Sequence, residues 1–119
     1  MTTKPKILVV EDDLALLEVL KIMLQEEFEV ILATDGKSAV KIYETYKPDL
    51  VLMDIALPEM NGVEATKEIV KRDPNAKIIA VSAYARSRGK EILDVGAKET
   101  LEKPFTKKKL IEIIKKYLN

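Results

Sequence analysis

The sequence predicts an α/β domain, a doubly wound parallel sheet of five strands with five helices. Three observations carry that prediction. Short runs of Val, Ile and Leu without polar alternation sit at Ile7–Val10, Val30–Ala33, Leu50–Met53 and Ile78–Val81, the pattern of parallel strands covered on both faces. Stretches with helical spacing lie between them. Turn residues fall at the junctions, so strand and helix alternate as in a wound sheet. The length, 119 residues, suits one domain spanning 1–119.

The first strand leads into a helix in which Leu14, Leu17, Leu20 and Leu24 share a face, with Asp13 as its N-cap. After the second strand, "TDGKS" starts a helix capped by Asp35 and lined by Ala39, Tyr43 and Tyr46. Pro48 in "YKPDL" separates it from the third strand. The third helix carries Val63, Thr66, Ile69 and Val70 and stops near Pro74, which cannot continue it. "ARSRGKEILDV" predicts a marginal fourth helix, because an internal Gly89 costs about 1 kcal/mol against Ala. Gly96 suits a C-terminal cap. The short last strand, Glu99–Glu102, carries the charges of an exposed edge. Leu110, Ile114, Tyr117 and Leu118 mark the closing helix.

Composition narrows the chemistry. Twenty basic residues balance twenty acidic ones, so no charge excess points to nucleic acid or a membrane surface. Lys107, Lys108 and Lys109 lack interleaved aromatics and read as a solvated face. With no Cys and no His, disulfides, thiolate catalysis and the commonest general base are absent. No apolar run approaches a membrane span; a cytoplasmic domain is the expectation. Abundant Lys and Glu lean towards a heat-adapted source.

In open α/β sheets, sites form beyond the carboxyl ends of the strands where strand order reverses; for the common order 2-1-3-4-5 this lies between strands one and three. Strand one runs out into Glu11 and Asp12, and strand three into Asp54. Ser82 ends strand four, and Lys103 follows strand five in "EKPF". Two carboxylates about 4 Å apart repel by about 4 kcal/mol at an effective dielectric near 20, so three together call for a proton, a Lys or a metal. Oxygen-only ligands favour a hard cation, Mg²⁺ before Ca²⁺. A carboxylate beside Mg²⁺ can act as a nucleophile towards phosphorus, and Asp54, ending the central strand, is the candidate. Lys103 and Ser82 would hold the transferred group's other oxygens.

With "ILVVEDD", "PDLVLMDIALPEMNG", "IIAVSAYA" and "EKPF" in this order and spacing, the chain resembles response-regulator receiver domains of two-component signalling over essentially its whole length. The flavodoxin-like order 2-1-3-4-5 is well known from a chemotaxis receiver of that family, so here it is implied by the resemblance as much as by the pattern. The resemblance implies that Asp54 is the phosphoacceptor, that Asp12 binds Mg²⁺ directly and Glu11 largely through water, and that the Ala56 backbone carbonyl is a further ligand. Ser82 and Lys103 would each meet a phosphoryl oxygen, with a cis bond between Lys103 and Pro104. It also implies a sensor histidine kinase upstream and a phosphotransfer or target protein downstream. Relatives with an aromatic readout carry Tyr or Phe where this chain has Thr100, which puts that readout in doubt. Tyr84, two residues after Ser82, is the expected shield of the phosphoryl group. The sequence stops at Asn119, right after its last helix, so the expected output is contact with another protein.

Two other classes compete for the same residues. A Mg²⁺-dependent small-molecule phosphohydrolase would want a second acid two residues past its nucleophile, where this chain has Ala56. A flavin module would want a hydroxyl- and glycine-rich phosphate loop after strand one, where "EDD" would repel it.

Overall fold

The computed structural model describes residues 3–118. Strands and helices alternate as β1 (Lys6–Val10), α1 (Leu14–Leu24), β2 (Glu29–Ala33), α2 (Gly36–Tyr46), β3 (Leu50–Met53), α3 (Gly62–Arg72), β4 (Ile78–Ser82), α4 (Ala85–Asp94), β5 (Glu99–Glu102) and α5 (Lys107–Leu118). The sheet order is β2-β1-β3-β4-β5, and each neighbouring pair is parallel. The predicted fold class and strand order are therefore those observed.

The strands read as unbroken apolar runs because both faces are covered. Leu8, Val10, Val51, Met53, Ile78 and Ala80 belong to one core layer, completed by residues of α2, α3 and α4. Their neighbours Ile7, Val9, Leu50, Leu52, Ile79 and Val81 face the other layer, under α1 and α5. Side chains alternate between faces at period two, so a one-residue slip would exchange the layers.

Helix starts follow the expected chemistry. The Asp13 carboxylate accepts from the Ala15 and Leu16 amides, and Asp35 accepts from Ser38 N. Helix α4 forms over ten residues despite its internal glycine. Gly89 is buried there because α4 lies close to β5: a Cβ at this position would stand 3.3 Å from Thr100 Cγ2. At its C-terminus, Ala97 N donates to Ile92 O and Gly96 N to Leu93 O, the paired bonds of a Schellman cap, with Gly96 at φ +119°.

Two predicted helix-face residues turn outward. Leu14 is 69% exposed and Tyr46 is 53% exposed. They are the terminal residues of α1 and α2, at the ends of the apolar stripes whose interior residues are buried. Among the described residues, no helix is long and apolar enough to cross a membrane.

Candidate functional site

Register places the site. Val10 pairs with Met53 at the ends of β1 and β3, and Asp54 N donates to Val10 O at 3.0 Å. The ladder thus runs one step past β3, bringing Asp54 level with Glu11. Glu11 N in turn donates to Ala33 O at 3.1 Å on the other side. Lys103 N reaches Ser82 O at 3.1 Å, so the β4–β5 ladder also runs one step past its last pair, Ser82 with Glu102, and brings Lys103 to the same rim.

Glu11, Asp12 and Asp54 each offer a carboxylate oxygen lying within 4.8 Å of the others. Glu11 and Asp54 are buried, while Asp12 is exposed. The Lys103 ammonium donates to Glu11 Oε1 at 2.5 Å and to Asp54 Oδ2 at 3.3 Å. The remaining oxygens of these two carboxylates are also engaged: Glu11 Oε2 accepts from Asp13 N at 3.1 Å, and Asp54 Oδ1 from Ile55 N at 2.7 Å. Every pair is ionic or charge-assisted, which is what keeps buried carboxylates tolerable.

The electrostatics carry both signatures of the crowding. Burial pushes the Glu11 carboxyl above its ordinary value, against the lowering effect of the Lys103 bond; the charge on Asp54 pushes it further up. Burial alone would lower the Lys103 ammonium, but its bond to Glu11 and the Asp54 charge outweigh that and raise it. Lys103 is therefore a fixed cation over a site that keeps excess negative charge.

The other sequence candidates stand around this centre. Ser82 is fully buried, and its Oγ accepts from Tyr84 N at 3.1 Å; among the described residues no hydrogen bond joins it to the carboxylates. Ala56 is exposed just past Asp54. Tyr84 is half exposed. Thr100 lies on β5 beneath α4, away from the carboxylates in its contacts. The Lys103–Pro104 peptide is cis.

Sequence reading missed Gly62. A Cβ there would fall 1.9 Å from the Asp54 carbonyl oxygen, and its amide donates to Ile55 O at 2.7 Å. The signal was a glycine at the first helical position behind the capping Asn61, where Pro or an ordinary helix former would be more usual.

Beside the carboxylates runs an apolar groove of about 430 Å³, walled by Leu16, Leu20 and Met23 on α1 and by Ala83, Pro104 and Phe105 opposite, with Lys103 at its edge. The outer side of α1 continues it, since Val19 is 44% and Ile22 57% exposed.

The donor set is all oxygen, with three carboxylates at one open rim, and it fits a hard divalent cation of the Mg²⁺ type. Comparison with known proteins gives the same picture. The family described as "Response regulator receiver domain" matches residues 7–115. The chemotaxis protein CheY of Thermotoga maritima is 43% identical over 114 residues, covering 93% of this chain and 95% of that protein. Among solved structures, the response regulator TrrA of T. maritima, in complex with Mg²⁺ and a beryllofluoride, superposes with a TM-score of 0.89 at 38% identity, covering 98% of this chain and 100% of that one. The receiver domain of a Pseudomonas aeruginosa sensor histidine kinase, with magnesium in its active-site cleft, gives 0.91 at 32% identity, covering 98% of both chains.

Proposed function

Because the chain belongs to the response regulator receiver domain family, we propose that it is a cytoplasmic response-regulator receiver in which Asp54 accepts a phosphoryl group from a sensor histidine kinase. The observation that carries this reading is the meeting of Glu11, Asp12 and Asp54 within 4.8 Å under the Lys103 ammonium. Asp12, Asp54, the Ala56 carbonyl and, through water, Glu11 would hold Mg²⁺. When bound, the ion supplies charge neutralisation for the incoming phosphoryl oxygens.

The chain's own groups do the rest. An Asp54 oxygen attacks phosphorus as the P–N bond to the donor's imidazole breaks, and the released imidazole keeps the electron pair and takes up a proton. Lys103, already 3.3 Å from Asp54 Oδ2, moves its charge onto a phosphoryl oxygen. Ser82 Oγ accepts from Tyr84 N, which leaves its own proton free to donate to another. Tyr84, half exposed beside it, limits water's approach to the acyl phosphate. With Thr100 in place of an aromatic on β5, the output is a relay to a phosphotransfer protein or contact with a target, without a large ring rotation. The apolar groove between α1 and Phe105 gives a protein donor a surface to seat on next to the acceptor.

The test is intact mass after incubation with Mg²⁺ and a small acyl phosphate. Wild type gains one phosphoryl group and Asp54→Ala gains none. Multiple turnover of a small phosphate ester without an adduct would favour the phosphohydrolase instead and overturn this reading.

A further inference from the structure

We propose that Gly36, on a helix with no group in the carboxylate cluster, is a positioning residue for the loop that carries Asp54; the inference rests on reading Asp54 as the phosphoacceptor. Gly36 is the first residue of α2. A Cβ at this position would lie 1.9 Å from the Met60 carbonyl oxygen, 2.7 Å from its carbon and 3.0 Å from Met60 Cβ. The contact is backbone against backbone, so no side-chain rotation relieves it.

Neither partner is free to retreat. Asp35 fixes the start of α2, accepting from Ser38 N at 2.7 Å and from Ser38 Oγ at 2.9 Å. The loop from Asp54 to Gly62 is pinned at its base by Gly62 N to Ile55 O and ends in the Asn61–Glu64 capping box of α3. Between these anchors Ala56, Pro58 and Glu59 face solvent, and Glu59 is at φ +63°. Leu57 and Met60 are where this stretch packs on the core, and at Met60 the contact is with the backbone of α2. Bare backbone at position 36 lets α2 act as the stop that sets how far the loop, with its Ala56 carbonyl, stands from the carboxylates.

Gly36→Ala must move Met60 by about 1.5 Å to regain an ordinary contact of 3.4 Å. Misplacement on that scale can cost about 10²-fold in rate, and disturbing the support of a metal ligand about 10-fold in affinity. Gly36→Ala should therefore raise the Kd for Mg²⁺ about 10-fold by isothermal titration and slow phosphorylation of Asp54 by a small acyl phosphate by about 10- to 100-fold. Gly96→Ala is the structural control: it strains a φ of +119° against Val70 at the far end of the sheet, and should lower thermal stability with the wild-type Mg²⁺ affinity retained. If Gly36→Ala loses stability only, as Gly96→Ala does, and binds Mg²⁺ as wild type does, the positioning role is overturned.

Should Gly36→Ala fail to fold, amide NMR of the wild-type protein decides. The Gly36 and Lys37 cross-peaks should move with Mg²⁺ at the same midpoint as Ile55. Unresponsive peaks at 36 and 37 beside a responsive Ile55 overturn the proposal and leave the phosphoacceptor reading standing. A wild-type protein that neither binds Mg²⁺ nor takes up phosphate overturns both.

Discussion

Replacing Lys103 with Met removes one charge from the site and little else. The stem of Lys103 borders the apolar groove with Leu16 and Leu20, and Met keeps that packing while deleting the ammonium. Two ion pairs vanish, to Glu11 and to Asp54, leaving both buried carboxylates beside Asp12. With the three oxygens within 4.8 Å of one another and an effective dielectric of 20, each carboxylate pair repels by at least about 3.5 kcal/mol. Orphaning a buried charge costs about 3–5 kcal/mol. The open rim at Asp12 discounts this, so the variant should be less stable by about 2–3 kcal/mol at neutral pH with chelator present. A cation restores what the ammonium supplied: binding at 100 times Kd contributes about 2.7 kcal/mol, so saturating Mg²⁺ should close most of the gap. Urea melts with chelator and with Mg²⁺, for both proteins, are the assay. Acid should narrow the gap too. Glu11 is already raised by burial and loses the lowering bond of Lys103, so the native variant takes up a proton sooner as pH falls. At high pH the wild-type advantage is full below the ordinary lysine value and fades as pH climbs through the raised one. A gap indifferent to Mg²⁺, or no gap in chelator, would refute the reasoning.

Two further outcomes are expected. Tyr84→Ala should shorten the lifetime of the phosphorylated protein several-fold, read by loss of the mass adduct after donor removal; an unchanged decay means that Tyr84 does not screen the acyl phosphate. Tyr43→Phe should cost about 1 kcal/mol, because the Tyr43 hydroxyl donates to Asp73 Oδ2 at 2.6 Å. Burial and that bond raise the phenol, so its contribution is whole below the ordinary tyrosine value and declines as pH rises above it; a wild-type-minus-variant difference that grows in alkali would contradict this.

Most of the sheet was legible because both of its faces are buried, which writes β1, β3 and β4 as plain apolar runs. Asp13 and Asp35 were readable as caps because a cap acts on amides two and three residues away. Glu11, Asp12 and Asp54 could be placed on one rim because parallel strands end their carboxyl termini together. What depends on pairs distant in sequence was not legible. Gly89 looked like a defect until Thr100 stood opposite it, and Gly62, unusual though it is at a helix start, did not tell that its missing side chain clears the Asp54 carbonyl. Leu14 and Tyr46 fit their helical faces but are exposed at the helix ends, because periodicity says which side a residue is on and not whether it is covered. That Lys103 would rest on both Glu11 and Asp54 was not legible either, since the contact joins residues 92 and 49 positions apart.

One carboxylate is bonded in two directions at once. Glu11 Oε2 takes the Asp13 amide at the threshold of α1, and Oε1 takes Lys103 at the head of the segment bearing Phe105. Those two segments are the opposing banks of the greasy cleft. The residue therefore works as a keystone: whatever draws Lys103 off it, or a proton or ion onto it, loosens the span joining the banks. A visitor lodged in the cleft would lie against Lys103, whose ammonium Glu11 and Asp54 share.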